Sequence, residues 1–133
     1  GRVSRHNMKY WTDGAWLGLG CGAHGTRDRV RTRNVAVTND YISRVMEGQS
    51  PHAEQRVLPD DEALSDALFM GMRLAGGVRR SLMDARYGCD IMSRFGPSLE
   101  PFIDAGLLVA DVAGWRLTRR GMLLANEVLA VFV

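Results

Sequence analysis

Two stretches near the start of the chain hold the residue types from which a binding site can be built. In His6-Asn7-Met8-Lys9-Tyr10-Trp11 a neutral imidazole can act as an axial ligand to an iron porphyrin. Asn7 can orient that ring by hydrogen bonding, and Tyr10 and Trp11 can pack on a flat macrocycle. A single histidine beside aromatics is more often a structural residue with its ring satisfied inside the fold. The residue types alone leave both readings standing.

The second stretch, Gly18-Leu19-Gly20-Cys21-Gly22-Ala23-His24-Gly25, is a glycine loop after a strand-like segment. Glycines let a backbone approach a ligand closely, as in nucleotide sites. The spacing of Gly18, Gly20, Gly22 and Gly25 does not match the dinucleotide fingerprint, and no Gly-Lys-Ser/Thr ending makes it a phosphate loop. A tight turn that needs positive φ angles accounts for the same glycines. Farther on, Leu117-Thr118-Arg119-Arg120-Gly121 puts two arginines where a basic wing could meet phosphates. Arg27, Arg29, Arg31 and Arg33 alternate, as on one strand face, giving either a solvated edge or a contact for an acidic partner. The two cysteines, Cys21 and Cys89, have no metal-ligand spacing and are expected as free thiols.

These groups must be held by two kinds of element, divided near Pro59. Before it, Tyr10-Trp11 and Ala15 to Leu19 read as short strands around a turn at Thr12-Asp13-Gly14, and Arg31 to Ala36 as a further strand. Thr38 or Asn39 is expected to cap a helix from Asp40 to Glu47 that stops at Gly48. Gln49 to Pro59 reads as a linker. After it, a helix capped by Asp60 or Asp61 should run to about Ala75, and Gly76-Gly77 should end it. A short helix is expected over 80–87, closed by Gly88. A third is expected from Pro97 or Ser98 to Ala105. Leu107 to Ala110 and Trp115 to Leu117 form a hairpin, and Thr118 caps a last helix through Leu129. Three helices, a two-stranded wing and a final helix make a winged-helix layout.

Composition narrows the classes. With 133 residues, 46% apolar and 24% charged, the chain is globular and long enough for one ordinary core. No apolar run is long enough for a membrane span. Gly1-Arg2-Val3-Ser4-Arg5, with neither an initiating methionine nor an apolar signal core, reads as the interior of a longer frame and gives no reason to expect secretion. The net charge of +2 divides into +4 over residues 1–59 and −2 over residues 60–133. The negative second half argues against a nucleic-acid reader, which shows a basic footprint.

In series, these motifs resemble the HemW-type haem chaperones and oxygen-independent coproporphyrinogen III oxidase-like radical-SAM proteins. His6-Asn7 with Tyr10-Trp11 is similar to the family's His-Asn-x-x-Tyr-Trp motif. Trp16-Leu17-Gly18-Leu19-Gly20-Cys21-Gly22-Ala23-His24-Gly25 is similar to the glycine motif that follows it, with Cys21 where many members carry Pro or Ala. Arg33-Asn34, Tyr41, Gly71-Met72-Arg73-Leu74, Tyr87-Gly88, Ala105-Gly106-Leu107-Leu108 and Leu117 to Gly121 with Asn126 continue the likeness to the end.

The resemblance implies an α/β remnant of a radical-SAM partial barrel, residues 1–59, followed by a mainly helical, winged-helix-like C-terminal domain, residues 60–133. It implies that His6 is the haem-iron ligand, supported by Asn7, Tyr10 and Trp11. It also implies that Gly20, Gly22, Ala23 and His24 form a loop beside S-adenosyl-L-methionine (SAM). The Cys-x-x-x-Cys-x-x-Cys motif that holds the family's [4Fe-4S] cluster is absent, so this chain alone is not expected to cleave SAM. The first functional expectation is a cytoplasmic protein that binds haem and delivers it to apoproteins, with a homodimeric parent compatible. The alternatives are coproporphyrinogen III oxidation and a winged-helix nucleic-acid module.

Overall fold

The computed structural model describes Met8 and residues 14–133. They divide into two compact units, with the boundary between Pro59 and Asp60.

The first unit is an antiparallel sheet with one helix. Strands β1 (His24–Arg27) and β2 (Val30–Asn34) are joined by a two-residue turn. Asp28 and Arg29 both have positive φ, 50° and 64°, which gives the turn twist that matches a right-handed hairpin. Helix α1 (Thr38–Met46) leads to β3 (His52–Val57), which pairs with β2. The segment expected as a linker is therefore mostly a strand. Its residues are exposed from Ala53 to Val57, so no hydrophobic period marks it. Helix α1 begins earlier than expected, after Val37, and no side chain caps it.

The β2–β3 ladder carries a bulge. Arg33 faces Glu54, but the next pair is Asn34 with His52, so Ala53 is extra. An added residue re-aims side chains locally. The hairpin also splits the arginine series. Arg27 ends β1 and pairs with Asp28, Arg29 lies in the turn, and Arg33 pairs with Glu54 on β3. Only Arg31 and Arg33 share a face of one strand, as residues two apart must.

The second unit packs helices against a small sheet. Helix α2 (Asp60–Gly71) starts with Asp60, Asp61 and Glu62, whose charges suit the positive end of the helix dipole. It stops at Gly71 rather than near Ala75. Turn bonds replace the helical ladder, from Arg73 N to Met70 O and from Leu74 N to Gly71 O. Strand β4 (Val78–Arg79), absent from the sequence reading, is only two residues long. Helix α3 (Arg80–Tyr87) ends on Gly88 at φ 64°, the left-handed cap the sequence implied.

Helix α4 (Ile91–Asp104) begins six residues before the expected start at Pro97 and carries Pro97 and Pro101 inside it. Asp90 caps it, accepting from Met92 N at 3.0 Å and Ser93 N at 3.4 Å. Ile91 and Leu99 are fully buried, and their packing outweighs the two missing proline N–H groups. Strands β5 (Leu108–Asp111) and β6 (Gly114–Leu117) form the expected hairpin, and the sheet order is β4-β6-β5.

Thr118 caps α5 (Arg119–Leu123) through Gly121 N at 3.0 Å. The single last helix of the sequence reading breaks at Leu124, and α6 (Ala125–Leu129) and a 3₁₀ turn over Ala130–Phe132 follow. The core joins Leu64, Leu68 and Met72 to Ile91, Leu99, Trp115, Val128 and Leu129. Phe95 meets Phe132 edge to face, with centroids 5.3 Å apart.

Candidate functional site

The glycine loop is the most constrained feature of the first unit. Trp16 and Thr26 exchange backbone bonds at 2.8 and 2.9 Å, bringing the segment before the loop alongside β1. The chain turns through Gly20 and Gly22, at φ 101° and 68°, where an L side chain would be strained. Gly22 N donates to Val35 O at 2.8 Å, and Asn34 N donates to Ala23 O at 2.9 Å. Gly18 sits so tightly that a Cβ there would lie 2.4 Å from His24 O.

Asn34 holds the loop from inside. It is 2% exposed, and its Nδ2 donates to Gly18 O at 3.1 Å and Gly20 O at 2.9 Å. Its Oδ1 lies 2.9 Å from His52 Nδ1. The Tyr41 hydroxyl accepts from Gly20 N at 3.1 Å. Asn34, Tyr41 and His52 thus come from β2, α1 and β3 to fix one loop. The sequence places Asn34 in a strand and Tyr41 in a helix, each within a family pattern, and His52 in a linker, and gives none of the three a role at the loop. The bulge at Ala53 is what brings His52 opposite Asn34, and no local spacing announces it.

Of the residues singled out earlier, Gly20, Gly22 and Ala23 lie in this loop. His24 opens β1, exposed, opposite Arg33. Cys21 is an exposed free thiol with Sγ 3.5 Å from Thr38 Oγ1. His6, Asn7, Tyr10 and Trp11 lie outside the described residues.

A [4Fe-4S] cluster is not matched by the donors of this chain. It has two cysteines, and among the described residues no three His, Cys, Asp or Glu side chains gather as a metal site. Close approach of a ligand to the loop is sterically open, since a Cβ placed on Gly20 would meet no atom within 4 Å.

The second unit has a cavity of about 510 Å³, lined by Asp61, Glu62, Ser65, Asp66, Phe69, Phe132 and Val133. Its apolar floor would suit a hydrophobic group. Of the three carboxylates at its rim, Asp61 pairs with Arg94 at 2.7 Å.

Comparison with known proteins now decides the family. The model of the HemN C-terminal domain matches residues 58–124. The chain belongs to that family. The whole chain is 31% identical to the haem chaperone HemW of Bacillus subtilis, covering 35% of that protein. HemW of Mycobacterium tuberculosis is 35% identical over 97% of this chain and 31% of its own length. The mitochondrial radical S-adenosyl methionine domain-containing protein 1 of Bos taurus is 29% identical, over 97% of this chain and 32% of that protein. The chain therefore spans about a third of the length of the curated relatives it matches. Among solved structures, the coproporphyrinogen III oxidase HemN of Escherichia coli, a radical-SAM enzyme, superposes with a TM-score of 0.72. At 20% identity, over 90% of this chain and 28% of that one, this likeness shows the fold alone. Among the described residues no helix is long and apolar enough to cross a membrane.

Proposed function

We propose that this chain is the C-terminal portion of a radical-SAM-family haem chaperone, which binds haem and delivers it to apoproteins in the cytoplasm. The observation that carries the reading is similarity along the full 133 residues to HemW of Bacillus subtilis. In this reading residues 1–59 are the last strands and loops of the barrel, and residues 60–133 are a winged-helix-like appended domain. His6 is the haem-iron ligand, with Asn7, Tyr10 and Trp11 around it. Gly20, Gly22, Ala23 and His24 form the SAM-side loop. SAM and a [4Fe-4S] cluster belong to the parent, whose other segments must supply three cluster thiolates. A homodimer of the parent is compatible with this assignment.

The second unit is assigned to interaction rather than nucleic-acid binding, because residues 60–133 carry a net charge of −2 and phosphate contact needs a basic footprint. The test is a haemin titration of this chain by absorption spectroscopy beside His6→Ala, with circular dichroism showing both folded. A saturable one-to-one Soret shift that His6→Ala abolishes supports the reading. Equal binding by the variant removes His6 as the ligand.

A further inference from the structure

We propose that His52 is a positioning residue for the glycine loop, fixing through Asn34 the backbone donors that the loop presents to its ligand. The ligand half of this inference rests on the SAM-side reading of the loop, whereas the clamp stands on its own geometry.

Asn34 Nδ2 directs its two hydrogens at Gly18 O and Gly20 O, 3.1 and 2.9 Å away. That leaves Oδ1, which can only accept, facing His52 Nδ1 at 2.9 Å. Nδ1 must therefore carry a hydrogen, and the neutral ring keeps its lone pair on Nε2. A flipped amide would set Nδ2 against the Nδ1 hydrogen and Oδ1 against two carbonyl oxygens. The two carbonyls, which can only accept, thus fix the orientation of Asn34, and the imidazole, donating from Nδ1, holds the amide there, in a position only 2% exposed where water cannot substitute cheaply.

Asn34 in turn sets the loop. The described peptides are trans, and in a trans peptide the carbonyl and the following N–H point in opposite directions. With Gly18 O and Gly20 O drawn toward Asn34, the N–H groups of Leu19 and Cys21 face away from it. Between them Gly20 leaves the approach bare, since a Cβ there would touch nothing within 4 Å. The outer edge of the loop thereby presents a pair of backbone donors, Leu19 N–H and Cys21 N–H, while Gly20 N–H stays on the Tyr41 hydroxyl, an arrangement suited to a ligand that accepts hydrogen bonds.

Nuclear magnetic resonance of this chain tests the clamp. The ¹⁵N shifts of His52 in the unaltered protein should report the Nδ1–H tautomer, and the Nε2–H tautomer would overturn the proposal without any mutation. His52→Ala should speed amide exchange at Gly20 and Gly22 on the order of tenfold. His52→Asn, whose amide hydrogen lies where the Nδ1 hydrogen does, should restore the slow rate. Unchanged exchange in a folded His52→Ala also overturns it. The ligand half is read as SAM affinity in the full-length parent carrying each variant: His52→Ala should weaken it several-fold and His52→Asn should not. A loosened loop with unaltered SAM affinity sinks the SAM-side reading and leaves the clamp intact.

Discussion

Gly121 is pressed against the carbonyl of Leu107. A Cβ on Gly121 would stand 1.9 Å from that oxygen, which already accepts from Thr118 N at 2.9 Å and Thr118 Oγ1 at 3.3 Å. One carbonyl therefore ties the start of the β5–β6 hairpin to the first turn of α5.

Gly121→Ala should destabilise the second unit by roughly 1–3 kcal/mol, since backbone on both sides must move to admit the methyl group. Gly76, exposed in the turn after α2 and with nothing beyond its chain neighbours within 4 Å of its Cβ position, is the contrasting site. Gly76→Ala should leave stability unchanged or raise it by up to about 1 kcal/mol. Thermal denaturation of both variants gives the comparison, and equal melting temperatures would contradict it.

Leu99→Ala should cost about 2–5 kcal/mol, because the fully buried side chain leaves a cavity among core residues. Leu123, 84% exposed, should tolerate the same change within about 0.5 kcal/mol. Urea midpoints at constant slope would show the difference.

Asp90 links acid stability to the cap of α4. Its carboxyl is held below the usual aspartate value by the Ser93 hydroxyl above all, with backbone bonds from Ser93 and Met92 and the charge of Arg80 assisting. A lowered folded-state value means that the carboxylate contributes stability above the unfolded aspartate value of about 3.9. That contribution fades as pH falls through the lower folded value. Asp90→Asn keeps a capping oxygen but does not titrate. The melting-temperature gap between the parent chain and Asp90→Asn should therefore be present at pH 7 and shrink below about pH 4. A gap that does not change with pH would refute the assignment.

Asn34→Ala should destabilise the first unit by about 1–3 kcal/mol, since two loop carbonyls and the His52 donor lose their partner in a buried place. Asn34→Asp should be worse, because a carboxylate oxygen would face Gly18 O and Gly20 O. Hydrogen exchange resolved by segment should show the loss over 24–57 with protection over 60–133 retained.

The second unit was the more readable from sequence, for physical reasons. The β5–β6 hairpin, the Thr118 cap and the Gly88 stop are local features, each set by a few neighbouring residues. Sequence and structure differ where packing at a distance decides. Pro97 reads as a helix start, whereas the burial of Ile91 extends α4 six residues farther back. Strand β3 carries only polar or exposed side chains after His52, so it offered no alternation to detect. In the candidate site, the glycine loop declared itself by composition. Its clamp did not, because Asn34 and His52 lie 18 residues apart and meet only across a sheet.

The bulge at Ala53 bears on how this segment can diverge among descendants. In an unbroken ladder Ala53 would stand opposite Asn34 and would have no side-chain hydrogen to donate. Replacements at exposed positions such as Gln55 or Val57 leave the count of residues unchanged and keep His52 opposite Asn34. An insertion within 52–54 would hand Asn34 a different neighbour and could reverse which side chains share a face. Inherited variation here should therefore accumulate as exchanges of residue type, while the length of β3 stays fixed.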